Sequence, residues 1–178
     1  MTRFTEAIRC HQLDVTKELL DNGYNVNEFE SICNGSPALD VVHTLGQTAF
    51  SEIERLEWLG LAKKIIEQSS ELIINTPNCF GQTCIQRAIH LGDHDIILMV
   101  LDKSNAGVCG HRDDWGTSAL SLLTSSNLVH KEVILNLMMN KEGFDATQRD
   151  TGHMNPMHNL NVLSARLRQA STGNFFIS

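Results

Sequence analysis

A short pattern returns along this chain. Ala7 to Asn27 reads AIRCHQLDVTKELLDNGYNVN, and Gly81 to Leu101 reads GQTCIQRAIHLGDHDIILMVL. With Ala7 laid on Ala88, Ile8 meets Ile89, Val15 meets Ile96, and Leu19-Leu20 meets Val100-Leu101. Self-similarity at a period of roughly 30 to 40 residues is the mark of a stacked repeat, because one short unit cannot bury its own apolar face. Such a chain presents an extended surface rather than a single deep pocket. The helical runs agree. Ile96, Ile97, Met99, Val100 and Leu101 are apolar on nearly every side of a helix, as are Val133, Ile134, Leu135, Leu137, Met138 and Met139. Helices of that kind must lie between neighbours. The spacing predicts full burial for Ile96, Leu101, Leu120 and Leu137. Gly23 and Gly92 stand where helices end and a positive φ is easiest for glycine.

The pattern resembles the ankyrin repeat, whose unit of about 33 residues carries a T-P-L-H-x-A signature. The closest stretch is Asn78 to Leu101, with Gly81, Thr83, Ile85, Ala88, Gly92, Asp93, Ile96 and Leu101 in register. The first unit keeps Ala7, Val15, Leu19, Leu20 and Gly23 and closes on Tyr24-Asn25-Val26-Asn27. Gly35-Ser36-Pro37-Ala38-Leu39 opens a degenerate second unit, Asp113 to Leu120 a fourth, and Asn155-Pro156-Met157-His158 a fifth. The leucine of the signature falls at Phe4, Leu39, Ile85, Leu120 and Met157, in steps of 35, 46, 35 and 37 residues. The long second step marks an insertion. The resemblance implies an all-α ankyrin-repeat solenoid of helix-turn-helix units with short hairpin loops. It forms one domain over 1–178, with units near 1–30, 31–77, 78–112, 113–148 and 149–170 and a tail at 171–178.

The insertion lies between Val42 and Leu61. Ser51-Glu52-Ile53-Glu54 reads as a capping box opening a helix that runs to about Gln68. Ile53, Leu56, Leu59, Ile65 and Ile66 would form its inner stripe. Trp58 falls off that stripe. It either covers an edge of the stack or joins Phe50, Glu54 and Glu57 in a docking ridge. At the other end Phe175, Phe176 and Ile177 follow a polar linker. They either fold back as a cap over the last repeat or form an exposed tag, which by analogy resembles the secretion tails of bacterial effectors that carry ankyrin repeats.

Composition narrows the function. The net charge is −7 and no dense basic patch occurs beyond Lys63-Lys64 and Arg166/Arg168, so nucleic acid and anionic membrane are not the expected partners. No apolar run reaches the length of a membrane span. Met1 to Glu6 has no secretory apolar core, which points to a cytoplasmic protein, or to delivery into a host cytosol on the effector reading. The five cysteines, Cys10, Cys33, Cys79, Cys84 and Cys109, suit reduced intracellular thiols. A zinc site from Cys79, Cys84, Cys109 and His111 is the sharper alternative, but Cys79 belongs to a hairpin tip and Cys84 to a helix start. The eight histidines sit in no catalytic motif, and no phosphate-cradling or nucleophile signature occurs. No enzyme activity, metal or cofactor is expected. A cryptic site in the insertion would have to draw on Asp40, His43, Glu52 and Glu54.

The resemblance places partner binding on hairpin tips and the adjoining inner helices. In the third unit these positions are Cys79, Phe80, Gln82, His90 and Leu91. In the fourth they are Asp114, Trp115, Thr117, Ser125 and Ser126, with Asp113 alongside. In the fifth they are Asp150, Thr151 and His153, and Trp58 is the candidate from the insertion. Phe80 and Trp115 hold the same place on consecutive tips, with acids beside them, as in an interface hot spot. The expected function is a non-catalytic module, monomeric by itself, that binds another protein as adaptor or inhibitor.

Overall fold

Helix starts are written into this sequence at short intervals, and the structure uses them. Side chains of Thr2, Ser51, Ser70, Thr83, Asp93, Asn105 and Ser118 each accept from a backbone N–H of the helix that follows. Each thereby satisfies a donor that the first turn would leave orphaned. The structure is a computed structural model and describes residues 2–28, 35–47 and 49–144. The helices there are α1 (Arg3–Arg9), α2 (Leu13–Asp21), α3 (Pro37–Gln47), α4 (Glu52–Gln68), α5 (Glu71–Asn75), α6 (Cys84–Leu91), α7 (His94–Lys103), α8 (Ala106–Gly110), α9 (Ala119–Ser125) and α10 (Lys131–Met139). Among the described residues the fold is all-α, with one isolated bridge between Arg112 and Ser118.

The helices pack in pairs: α1 on α2, α3 on α4, α6 on α7 and α9 on α10. The first members then touch in series, α1 to α3 to α6 to α9, and α4 touches α7, which touches α10. One continuous apolar core results, from Phe4 and Ile8 through Val41, Leu45, Ile65 and Ile66 to Ile85, Ile96, Leu101, Leu120 and Ile134. Gly92 ends α6 with φ 78°, a left-handed position that a Cβ would strain. Polar bonds recur in step with the helices. Asn27 donates to the Gln68 carbonyl at 3.1 Å and accepts from the Ser70 N–H at 2.6 Å. Asn75 donates to the Lys103 carbonyl at 2.9 Å and accepts from the Asn105 N–H at 2.9 Å. Lys103 also caps the end of α4, donating to the carbonyls of Ile66, Glu67 and Ser69 at 2.9, 2.6 and 2.6 Å. These bonds satisfy helix-end carbonyls that would otherwise lack donors.

Two burial expectations need correction. In α4 the capping box forms as read, but Ile53 is 74% and Leu56 64% exposed while Trp58 is 1% exposed. The buried stripe is Trp58, Leu61, Ala62, Ile65 and Ile66, at the spacing of one helix face. Leu137 is also misassigned: Ile96, Leu101 and Leu120 are buried, whereas Leu137 is 44% exposed. α10 turns Ile134, Leu135 and Met138 inward against α7 and α9, which leaves Val133 and Leu137 on its other side. The fifth unit and the Phe175-Phe176-Ile177 tail lie outside the described residues.

Candidate partner-binding site

Two tips are built alike from their first residue. The Asn78 Oδ1 accepts from the N–H of Phe80 at 3.0 Å and of Gln82 at 2.9 Å. The Asp113 Oδ1 accepts from the N–H of Trp115 at 3.1 Å and of Thr117 at 2.8 Å. In each tip the first residue also exchanges backbone bonds with the glycine and the residue after it. Such side-chain bonds hold a turn in one conformation. Gly81 has φ 69°, and a Cβ there would meet the Asp113 Cα at 3.0 Å, so the second tip runs directly against the first. The Asp114 N–H donates to the Phe80 carbonyl at 3.0 Å. Gln86, at the place of the signature histidine, donates to the Thr117 carbonyl at 2.6 Å.

This registration sets Phe80 and Trp115 side by side, with ring centroids 6.0 Å apart and planes 33° from parallel. They touch yet stay 50% and 60% exposed. Next to them opens a groove of about 370 Å³ lined by Gln82, Gln86, Arg87, His90, Asp113, Trp115, Thr117 and Leu122. Five of these, Gln82, His90, Asp113, Trp115 and Thr117, are sequence-predicted positions. Asp114 is exposed on the tip. Ser125 is not among the groove residues; its hydroxyl donates back to the Ser121 and Leu122 carbonyls at 2.9 and 3.1 Å. Asp150, Thr151 and His153 lie outside the described residues. Trp58, the candidate from the insertion, is buried rather than set on the surface, and packs on Phe50, centroid to centroid 5.9 Å. Gln86, Arg87 and Leu122 were missed. A charged residue on the otherwise largely apolar α6 was the available signal for Arg87.

The alternative chemistries fare differently. Asp40 accepts on both carboxylate oxygens from the Arg9 Nη2, at 2.8 and 2.9 Å. Glu54 is engaged by Ser51, whose hydroxyl and N–H hold its carboxyl below the usual range. Cys84 is buried in the first turn of α6 while Cys79 is exposed on the tip, and among the described residues no group of three or more His, Cys, Asp or Glu is placed to hold a metal ion. Burial pushes the Cys84 thiol up to about 12 and the Cys109 thiol up to about 11. The thiolate is the reactive form. Brief alkylation of the native protein near neutral pH should therefore modify Cys10 and Cys79, both exposed, and spare Cys84 and Cys109 until denaturant is added. Peptide mass mapping reads this directly, and native labelling of Cys84 would contradict its burial.

His43, on α3, has a buried Nδ1 without a partner. Burial first, then the charges of Arg87 and Arg9, lowers its pKa below 6.5. Well above 6.5 the ring is neutral in the folded and unfolded chain alike. As pH falls through that value the unfolded chain takes the proton first, so stability is lost toward the lower folded pKa. Urea melts between about pH 7 and about pH 5 should show a steeper loss for the wild type than for His43→Phe. Equal slopes would mean that the ring titrates as in the unfolded chain.

Among the described residues no helix is long and apolar enough to cross a membrane. No protein-family model matches the chain, and no curated protein matches it significantly.

Proposed function

We propose that this chain is an ankyrin-like repeat module that binds another protein through its tips and inner helices, without catalysis, as adaptor or inhibitor. The helix pairs in series and the Asn27 and Asn75 bonds, whose acceptors and donors are 35 residues apart (Gln68 to Lys103, Ser70 to Asn105), support the repeat reading. The observation that carries the function is the convergence of five expected positions on one groove beside two exposed, touching aromatic rings. Exposed aromatics on a tip held by its own hydrogen bonds lose little freedom when a partner covers them, which is how a small patch yields affinity. The experiment is capture of partners by the full chain in its native cell, followed by titration of the purified partner against wild type and Trp115→Ala. Undiminished binding by Trp115→Ala counts against this face.

A further inference from the structure

We propose that Arg87 makes the groove selective for a single carboxylate, an Asp or Glu side chain of the bound partner. This rests on the partner-binding reading above. Three arginines stand on the inner helices; Arg3 is exposed at the start of α1, and the other two, Arg9 and Arg87, are provided for differently. Arg9, on α1, donates from its Nη2 to both carboxylate oxygens of Asp40 at 2.8 and 2.9 Å. Arg87, on α6, is half-buried and lines the groove, yet it is absent from the ion pairs of the described residues, which are Arg9–Asp40, Lys17–Glu57 and Lys63–Asp95. Among the described residues its guanidinium makes one hydrogen bond, to the neutral Oε1 of Gln82. Its Nε–H is buried with no acceptor. A guanidinium half withdrawn from water with donors to spare is short of one anion.

Asp113 does not fill that need. Its Oδ1 is taken by the N–H groups of Trp115 and Thr117, and it acts on Arg87 only through its field. Burial lowers the Arg87 pKa, which is the same shortage seen as a cost of holding the charge. A planar carboxylate matches the guanidinium fork. Trp115 and Leu122 offer apolar walls for the methylene stem of such a residue. A cationic side chain over Trp115 is the competing occupant; Arg87 repels it, and the one carboxylate lining the groove, Asp113, has its Oδ1 engaged by the tip N–H groups. The net charge of −7 opposes an acidic run at long range, so the occupant is one acid flanked by uncharged or apolar residues.

The test pans the full chain against a display library of random dodecapeptides and keeps the peptides that wild type binds and Trp115→Ala does not. These should share one position fixed as Asp or Glu. A synthetic peptide of this set should lose about tenfold or more in affinity when that acid becomes its amide. Arg87→Gln should lose as much, the two changes together should add little, and Arg87→Lys should recover part of the loss because an ammonium keeps the charge without the fork. If Arg87→Gln melts early, the cycle is closed with Arg87→Lys and the peptide amide instead. Trp115-dependent peptides with no fixed acid, or an amide effect that persists in Arg87→Gln, overturn the role of Arg87 and leave the binding face standing. A library that yields no Trp115-dependent peptide overturns both.

Discussion

Trp58→Ala should destabilise the fold by about 3–5 kcal/mol, the range for removing a large buried aromatic side chain. The indole is 1% exposed. It begins the buried stripe of α4 and faces Phe50 at 5.9 Å, and Phe50 in turn meets the edge of His11 at 5.6 Å. α4 is thus tied through Trp58 and Phe50 to the first helix pair. Truncation leaves a cavity that the surrounding helices can only partly collapse into. Trp58→Phe should cost much less, because most of the ring volume stays. Urea denaturation of the three proteins decides it: a loss below about 1 kcal/mol for Trp58→Ala, outside the range of buried aromatics, would remove Trp58 from the core.

What was legible in the sequence was local. Ser51 and Glu54 form their capping box, and Gly92 takes its left-handed turn, because these bonds close within a few residues and need no neighbour. The tips are legible for the same reason. The stripe of α4 was not. Its apolar residues sit on two faces, one running through Ile53 and Leu56 and the other through Trp58, Leu61, Ala62, Ile65 and Ile66, and only packing partners choose between them. α4 spans 17 residues where α7 has 10, and burial along it starts at Trp58. Leu137 fails likewise: which side of α10 is covered depends on α7 and α9, not on its own periodicity. In the groove, Arg87 escaped because a charge on an inner helix looks the same in sequence whether or not a carboxylate meets it. Arg9 meets the Asp40 carboxylate of α3, whereas among the described residues no neighbouring helix pairs a carboxylate with Arg87.

Trp115→Ala should do the reverse of Trp58→Ala. Its ring is 60% exposed and touches Phe80, itself 50% exposed. Removing it uncovers little core, so stability should change by no more than about 0.5–1 kcal/mol. The tip should keep its shape, because the Asp113 carboxylate holds the backbone N–H groups of Trp115 and Thr117 whatever side chain stands between them. Binding is another matter. Loss of an anchoring aromatic costs about 2 kcal/mol or more, roughly thirtyfold in affinity, and appears in the dissociation rate. Asp114 is exposed on the same tip, and Asp114→Asn should instead alter the association rate and its salt dependence. Calorimetry on a captured partner, paired with a melt of each variant, separates the cases. Full affinity in Trp115→Ala would move the interface elsewhere. An unfolded Trp115→Ala would make the ring part of the stack itself, with the pair on the two tips serving to join neighbouring units rather than to meet a partner.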